Sequence, residues 1–597
     1  MSAMKIFEAT LIAVLLIGSS AWTTFAAETT TRALDPLECQ RQTLAIAPKI
    51  LDATVGIVLT EEDIEANGVG YGGSGVIVSA DGLVLTAAHV LEGCGDEVIA
   101  LLPKNRHVRA RVCGYLGRGD LGVLQLVEPG PWPFLPMAEV ETVPSGTLCV
   151  GAGHTGRIDP QRPAPLRMGR VLGERRGESF VDENGDAADL DRVLVTDAPF
   201  LPGDSGGPLV NLAGEVIGVH SSIGQDHREN LHVPIWQFQR HWAKLTGGVK
   251  RALPKADAGE LAKVGAELQR LGLLRKQPVF DYRVTIERSW STSHPNFLKK
   301  LSPLLEKSAG LPVQIFADDR PIALGCVVTT DGLIATAAAN LGEGKLVCRI
   351  GERDYDAEVA KRDEANNLAL LKIAAEKLPV VAWSDETPAV GTWVITPNAE
   401  GKPLSVGLIG LSRRAIPDPE LQGPAAVHGF LGIELKVKAK DARIGRVLSD
   451  SAASTAGLQA DDVVLSLNEH AVRRGEELIE ALRRFKPDDE VKLEVLRGEE
   501  KLQLEAKLGR RPNQQQEDDA EFAAWNRSSG GVSPRKANLP DVLTHDGIVA
   551  PRYCGGPLLD LQGRVIGLNI ARADRTSTYA LPADVVQKMV EKVEVSP

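Results

Sequence analysis

Three short patterns occur twice in this 597-residue chain, in the same order, and the repetition narrows the possible folds more than any other feature. The first is Gly73-Ser74-Gly75-Val-Ile-Val-Ser-Ala-Asp81-Gly82-Leu-Val-Leu-Thr86-Ala87-Ala88-His89, which returns as Gly325-Cys-Val-Val-Thr-Thr-Asp331-Gly332-Leu-Ile-Ala-Thr336-Ala337-Ala338-Ala339. Each copy is an apolar strand, an Asp-Gly turn and a second strand, the grammar of a hairpin. The second pattern is Asp120-Leu121-Gly-Val-Leu-Gln-Leu, matched by Asn367-Leu368-Ala-Leu-Leu-Lys-Ile. The third is Asp204-Ser205-Gly206-Gly207-Pro208-Leu209, matched by Tyr553-Cys554-Gly555-Gly556-Pro557-Leu558. Three ordered matches indicate a tandem duplication of an all-β domain. Abundant glycine (59 residues) and scarce aromatics (4%) agree with many turns and short strands.

The copies differ in length between their second and third patterns. Asp120 and Ser205 are 85 residues apart, whereas Asn367 and Cys554 are 187 apart, an excess of about 100 residues, the size of one small domain. The excess begins after Gly407-Leu-Ile-Gly-Leu, which echoes Gly169-Arg-Val-Leu-Gly, and contains a segment from Gly429 to Leu508. That segment reads as two strands, a short helix at Ala452–Gly457, a strand, a helix from Glu476 to Phe485 and two final strands. The resulting domain plan is a signal peptide (1–26), a first copy (45–245), a linker (246–277), the first part of the second copy (278–428), the insert (429–509), a polar loop (510–536) and the rest of the second copy (537–597).

The amino terminus has the form of an export signal: Lys5, an apolar run Leu11–Ile17 and the small residues ending Thr24-Phe25-Ala26-Ala27, with cleavage expected after Ala26 or Ala27. The apolar run is far shorter than the ~20 residues that span a bilayer. Export permits disulfides, and the seven cysteines leave at least one thiol without an intrachain partner. Cys326 and Cys348, on strands that follow closely in sequence, are a candidate pair. No metal-ligand cluster or cofactor motif is present, and none is expected. A net charge of −12 argues against a general nucleic-acid partner.

The first copy carries a complete set for nucleophilic catalysis. Ser205 lies in Pro202-Gly203-Asp204-Ser205-Gly206-Gly207-Pro208, where glycines permit a tight turn that aims the amides of Gly203 and Ser205 at one point, an oxyanion hole. His89, at a strand end, is the candidate base, and Asp120 the carboxylate that fixes its tautomer. At the equivalent positions the second copy has Ala339, Asn367 and Cys554, and Arg552 replaces Gly203. A thiol there would lack a base, so the second copy reads as catalytically dead and Cys554 as inert, with a redox-sensing or covalent-binding cysteine as the alternative role.

These segments resemble the HtrA/Deg family of chymotrypsin-fold serine proteases over Gly56 to about Ile235, including the later Gly214-Glu-Val-Ile-Gly-Val and Leu231-His-Val-Pro-Ile. Asp204 stands where that family usually has Asn, with no loss of mechanism expected. The resemblance implies a mainly β fold of two tandem chymotrypsin-like domains, each a pair of six-stranded barrels, the second degenerate and interrupted. The insert resembles a PDZ domain, with Phe430, Leu431, Gly432 and Ile433 matching the loop that holds a peptide's terminal carboxylate. By the same resemblance the S1 pocket base lies near Ala198, Pro199 and Phe200, with His220, Ser221 and Ser222 on its wall. Without an acid there, cleavage after small or medium apolar residues is expected. The implied partners are unfolded or damaged proteins and C-terminal peptides, in a bacterial periplasm or envelope. Relatives often form trimers, so homo-oligomers are compatible with the reading. A peptide-binding chaperone or adaptor using the PDZ and inactive domains is the alternative.

Overall fold

The structure is a computed structural model that describes residues 34–594 apart from 59–71, 93, 155–163, 177–191, 225–227, 252–282, 309, 417–429, 437–440, 449–450, 469, 483–484, 486–488, 499 and 510–529. The expected signal peptide lies outside the described residues, as do most of the linker and most of the polar loop.

Four six-stranded barrels make up the two copies. The first is built from β1 (Thr54–Val58), β2 (Ser74–Ile77), β3 (Leu83–Thr86), β4 (Glu97–Leu102), β5 (Arg106–Leu116) and β6 (Leu121–Leu126) in the cyclic order β1-β2-β3-β6-β5-β4. The second contains β7 (Leu148–Ala152), β8 (Leu166–Arg176), β9 (Arg192–Thr196), β10 (Pro208–Asn211), β11 (Val216–Ile223) and β12 (Asn230–Pro234), wound in the same order. Two further strands attach to this copy: β13 (Lys250–Arg251) alongside β5 and β14 (Arg283–Ile286) on β8. The sequence reading places residues 278–428 in the second copy, so β14 is a departure from that plan: the chain goes back to the first copy before starting the second.

The second copy repeats the winding. β15 (Pro312–Ala317), β16 (Arg320–Val327), β17 (Leu333–Ala337), β18 (Leu346–Ile350), β19 (Arg353–Asp363) and β20 (Leu368–Ile373) close in the order β15-β16-β17-β20-β19-β18. β21 (Trp393–Pro397) and β22 (Pro403–Ile416) then start a barrel that only closes after the insert. The insert holds β23 (Ile433–Leu435), β24 (Ile444–Val447), β25 (Val463–Leu467), β26 (His470–Ala471), β27 (Glu490–Arg497) and β28 (Glu500–Lys507), with helices Ala452–Thr455 and Gly475–Leu482. Its own core includes Leu431, Ile444, Val464, Leu478 and Leu493. The interrupted barrel is completed by β29 (Leu539–His545), β30 (Pro557–Leu559), β31 (Val565–Arg572) and β32 (Thr578–Pro582).

One contiguous apolar core runs through both copies, joining Leu166 and Met168 of β8 to Trp393 and Leu408 of the second copy. The helix Pro36–Ala53, capped by Asp35, is part of this joint. Its Thr43 accepts the Trp393 indole N–H at 3.1 Å, and its Gln40 accepts the Trp393 amide at 3.0 Å. Gly391 lies against Ala47 so closely that a Cβ would sit 3.0 Å from the Ala47 methyl. This helix begins before the residue-45 boundary of the domain plan.

The candidate pair Cys326 and Cys348 is not bridged. All seven cysteines are thiols. β16 and β18 are not neighbours, because β15 lies between them and pairs with both. The two thiols also enter different apolar clusters.

Candidate active site

Local structure carries each candidate residue to the seam between the first two barrels. β3 ends at Thr86, and the short helix Ala88–Leu91 holds His89 above it. Asp120 ends a 3-10 turn with φ 56°, a left-handed conformation that Asp and Asn tolerate through short polar side chains. It faces back toward that helix. Asp120 Oδ1 accepts the His89 amide at 3.0 Å and lies 2.9 Å from His89 Nδ1; Oδ2 lies 3.0 Å from the same ring nitrogen. Partial burial pulls the imidazole pKa down, but the hydrogen bond and charge of Asp120, with the charge of Glu92, outweigh it and leave the pKa raised.

Ser205 reaches the same pair through Ser221. The Ser205 hydroxyl donates to the Ser221 carbonyl at 3.2 Å, and the Ser221 hydroxyl donates to Asp120 Oδ2 at 2.6 Å. Ser205 Oγ makes no hydrogen bond to His89 in this conformation, among the described residues. The backbones are nonetheless tightly coupled: Ser74 N–H donates to the Ser205 carbonyl at 2.7 Å, and a Cβ on Gly73 would meet both that carbonyl and Val90, the neighbour of His89. Sequence reasoning places Ser221 on the wall of the specificity pocket. Its side chain instead supports Asp120, a task that an isolated Ser in a strand gives no local sign of.

The turn before Ser205 is fixed from outside. Ser74 Oγ donates to the Gly203 carbonyl at 2.8 Å and accepts the His154 amide at 2.8 Å. Gly203 has φ 93°, which places it where a side chain would be strained. The Gly203 and Ser205 N–H groups make no hydrogen bond among the described residues, so both remain available as donors. Gly206 is obligatory: a Cβ there would lie 2.0 Å from the Ser74 carbonyl oxygen.

Near this turn, the Phe200 ring packs tilted at 46° against His220 with centroids 3.6 Å apart, and His220 Nδ1 lies 3.0 Å from His232 Nδ1. Burial pushes both imidazoles down, His232 to about 3, so both are neutral. The expected pocket base thus brings Phe200 against neutral imidazoles, and Ala198, Pro199 and Phe200 supply no acidic side chain.

The second copy keeps this scaffold with different residues at the triad positions. Thr336 Oγ1 bonds the Leu324 carbonyl at 2.6 Å as Thr86 Oγ1 bonds that of Ser74 at 2.8 Å. Asn367 has φ 53°, and its Oδ1 accepts the Ala339 amide at 2.8 Å, the bond Asp120 makes to His89. Its Nδ2 donates to the Ile570 carbonyl at 3.0 Å, where the first copy has Ser221. Ala339 supplies no base. The residues before Cys554 form a 3-10 turn, Pro551–Tyr553, and the Cys554 amide is spent on the Pro551 carbonyl at 3.0 Å. Burial pushes the Cys554 thiol up to about 11, despite opposing contributions from Ser533 and Arg572.

In the insert, Gly432 has φ 84° and the carbonyls of Leu431 and Gly432 accept Ala453 and Leu448 amides at 2.7 and 2.9 Å. Phe430 closes the domain by pairing with Gly509. Ile433 begins β23, whose pairing partner among the described strands is β24, leaving its other edge unpaired.

A trypsin-like peptidase domain model matches residues 73–219, and a PDZ domain model matches residues 429–508. A protein of Pseudomonas fluorescens named "Probable periplasmic serine endoprotease DegP-like" is 26% identical over 436 residues, covering 71% of this chain and 76% of its own length. A protein of the same name from Hahella chejuensis is 34% identical over 151 residues, 25% of this chain and 29% of its own. A "Probable periplasmic serine protease do/HhoA-like" of Haemophilus influenzae is 23% identical over 442 residues, 72% of this chain and 78% of its own.

Proposed function

Because the chain is an HtrA/Deg-like serine endopeptidase of the bacterial periplasm or envelope, carrying a PDZ domain, we propose that it cleaves unfolded or damaged proteins through an acyl-enzyme on Ser205. The observation that carries the reading is Ser221, whose carbonyl holds the Ser205 hydroxyl while its own hydroxyl holds the carboxylate that orients His89. Release of Ser205 Oγ from that carbonyl frees it to attack the scissile carbonyl carbon, its proton passing to His89 Nε2. The oxyanion is received by the Gly203 and Ser205 amides. Collapse breaks the C–N bond, and His89 returns the proton to the leaving amine. Water, deprotonated by His89, then hydrolyses the ester and restores Ser205.

The Phe200 and His220 rings and the lack of an acidic side chain at Ala198, Pro199 and Phe200 support cleavage after small or medium apolar residues. The PDZ loop Phe430–Ile433 and the open edge of β23 would take a C-terminal peptide as an added strand. The second copy is a pseudoprotease that lacks a base at Ala339 and has its oxyanion turn closed. The test is fluorophosphonate labelling with mapping of the labelled residue, alongside casein digestion by wild type and Ser205→Ala. Label on Ser205 and digestion by wild type alone are expected. If casein survives both proteins while both still suppress its aggregation, the adaptor reading replaces this one.

A further inference from the structure

The residue before the nucleophile is a buried acid, and its partner comes from the strand that meets the inactive copy. Asp204 and Arg167 are each 1% exposed, and Arg167 Nη1 donates to Asp204 Oδ2 at 2.7 Å. The same oxygen accepts the Leu201 amide at 2.8 Å, so this carboxylate ties down the turn that carries Gly203 and Ser205. The fit is tight: a Cβ on Gly153 would lie 2.6 Å from Asp204 Oδ1. Arg167 lies on β8, and the residues on either side of it contact the second copy. Met168 N–H donates to Asp546 Oδ2 at 2.5 Å, and Asp546 Oδ1 accepts the Leu408 amide at 2.7 Å, so one carboxylate joins a strand from each copy. Gly410 of β22 approaches so closely that a Cβ would lie 2.5 Å from the Leu166 carbonyl oxygen.

The duplication makes this junction informative. Asp546 stands eight residues before Cys554, as Asp197 stands eight before Ser205. Both bond inward to their own barrel, Asp197 Oδ1 accepting the Arg170 amide at 2.6 Å. Their second oxygens differ. Asp197 Oδ2 is taken by Ser291 and Thr292 of the connecting segment. Asp546 Oδ2 is given to the active copy.

We propose that Arg167 is a positioning residue for the nucleophile turn, and that the docked inactive copy, through Asp546, holds the strand bearing Arg167 where it can secure Asp204. The physical reason is that a buried carboxylate requires a fixed counter-charge. If the arginine shifts, Asp204 must turn toward water, taking with it the Gly203–Ser205 donors, whose alignment matters only in the transition state. The second copy then serves catalysis without contributing a catalytic group. This inference rests on the protease reading.

The test uses the full chain, with active sites counted by fluorophosphonate so that kcat refers to competent molecules. Arg167→Met should lower kcat per titrated site by roughly 30- to 300-fold, in the range for a misaligned oxyanion donor, and leave KM within about threefold. Combining it with Asp204→Asn removes both buried charges, and should recover at least about tenfold of that loss. Asp546→Ala, in the other copy, should lower kcat per site by about tenfold or more. Unchanged kcat per site in either single variant overturns the proposal, as does failure of the double variant to recover. If Arg167→Met does not fold, Arg167→Lys takes its place, since lysine keeps the charge but not the forked donor. A drop of about tenfold supports the proposal, and full kcat overturns it. A wild type that takes no label on Ser205 refutes the protease reading itself and is recognisable before any variant is made.

Discussion

Asp120→Asn isolates the electrostatic part of the site, because the second copy already shows what asparagine does there. Asn367 occupies the equivalent left-handed position, keeps the amide bond to residue 339 and turns its Nδ2 to a strand carbonyl. The introduced carboxamide should do the same, accepting the His89 amide and facing the Ser221 carbonyl. His89 Nδ1 then loses an anionic acceptor that now lies 2.9 and 3.0 Å away through two oxygens. Nδ1 has one N–H, shared between the two oxygens, so the loss is that of a single charge-assisted bond, about 1.5–3 kcal/mol, or roughly 10- to 10²-fold in kcat. The wrong tautomer adds to this and carries the total toward the ~10⁴ typical of Ser-His-Asp sites. The pH profile should move too. Asp120 raises the His89 pKa in the folded protein, so the variant's acid limb should shift to lower pH. The sign for stability is opposite to that of a depressed acid: the pairing stabilises fully below the unfolded histidine pKa and fades as pH rises through the folded value. Thermal unfolding near pH 8 should barely change, since asparagine adopts this backbone without strain. The assay is kcat against pH on a chromogenic peptide, with active-site titration. A kcat within about tenfold of wild type, with an unmoved acid limb, would refute the assignment of Asp120.

Three further outcomes are expected. Cys554, buried and pushed up to about 11, should react with iodoacetamide at pH 8 at least ~10²-fold more slowly than the unfolded protein's thiols, read by mass spectrometry; equal rates would restore a reactive role. Trp393→Ala empties a fully buried site and removes the indole bond to Thr43, and should cost about 3–5 kcal/mol in urea unfolding of the second copy. Gly432→Ala would bring a Cβ to 2.2 Å from that of Ser451 at φ 84°, so binding of a C-terminal peptide, followed by fluorescence anisotropy, should weaken by at least tenfold while casein turnover of Ser205 persists.

The barrels and the insert were legible because their signals are local: alternating apolar strands, Asp-Gly turns, and a spacing that differs between copies. The candidates His89, Asp120 and Ser205 are each marked by its own short pattern, and the fold brings the first two into contact while Ser205 bonds the Ser221 carbonyl. What escaped depends on contacts between distant segments. Arg167 lies 37 residues before Asp204, in a strand with no distinguishing residue pattern, and only the folded barrel brings them together. The short strand Arg283–Ile286 carries too few residues to reveal that it pairs back onto β8. The Cys326–Cys348 pairing fails because closeness in sequence is not closeness in the sheet, where β15 separates the two strands.

Comparing the copies separates what this fold needs from what its chemistry needs. Gly555 cannot be substituted for the same reason as Gly206, since a Cβ would lie 2.0 Å from a β-strand carbonyl in either copy. The amide after each third-pattern residue bonds the strand behind it, Gly206 to the His220 carbonyl at 2.7 Å and Gly555 to that of Asn569 at 2.5 Å. Such bonds satisfy buried backbone groups, and a barrel that lost them would bear the full cost of desolvation. They are therefore retained in both copies, whatever residues stand at the triad positions. The donors that differ are those a substrate would use: Cys554 N–H turns inward to Pro551, while Ser205 N–H does not. An open turn leaves polar groups waiting for a ligand, a state that has to be held by something other than its own hydrogen bonds. In the active copy the fixed points are the Ser74 hydroxyl on Gly203 and the Arg167–Asp204 pair. In the second copy Ser74 is replaced by Leu324 and Asp204 by Tyr553, and the turn has collapsed onto itself. Placing histidine at 339, aspartate at 367 and serine at 554 (Ala339→His, Asn367→Asp, Cys554→Ser) would thus supply the three relay groups but not the oxyanion hole, and such a triple variant should remain unlabelled by fluorophosphonate at its second site.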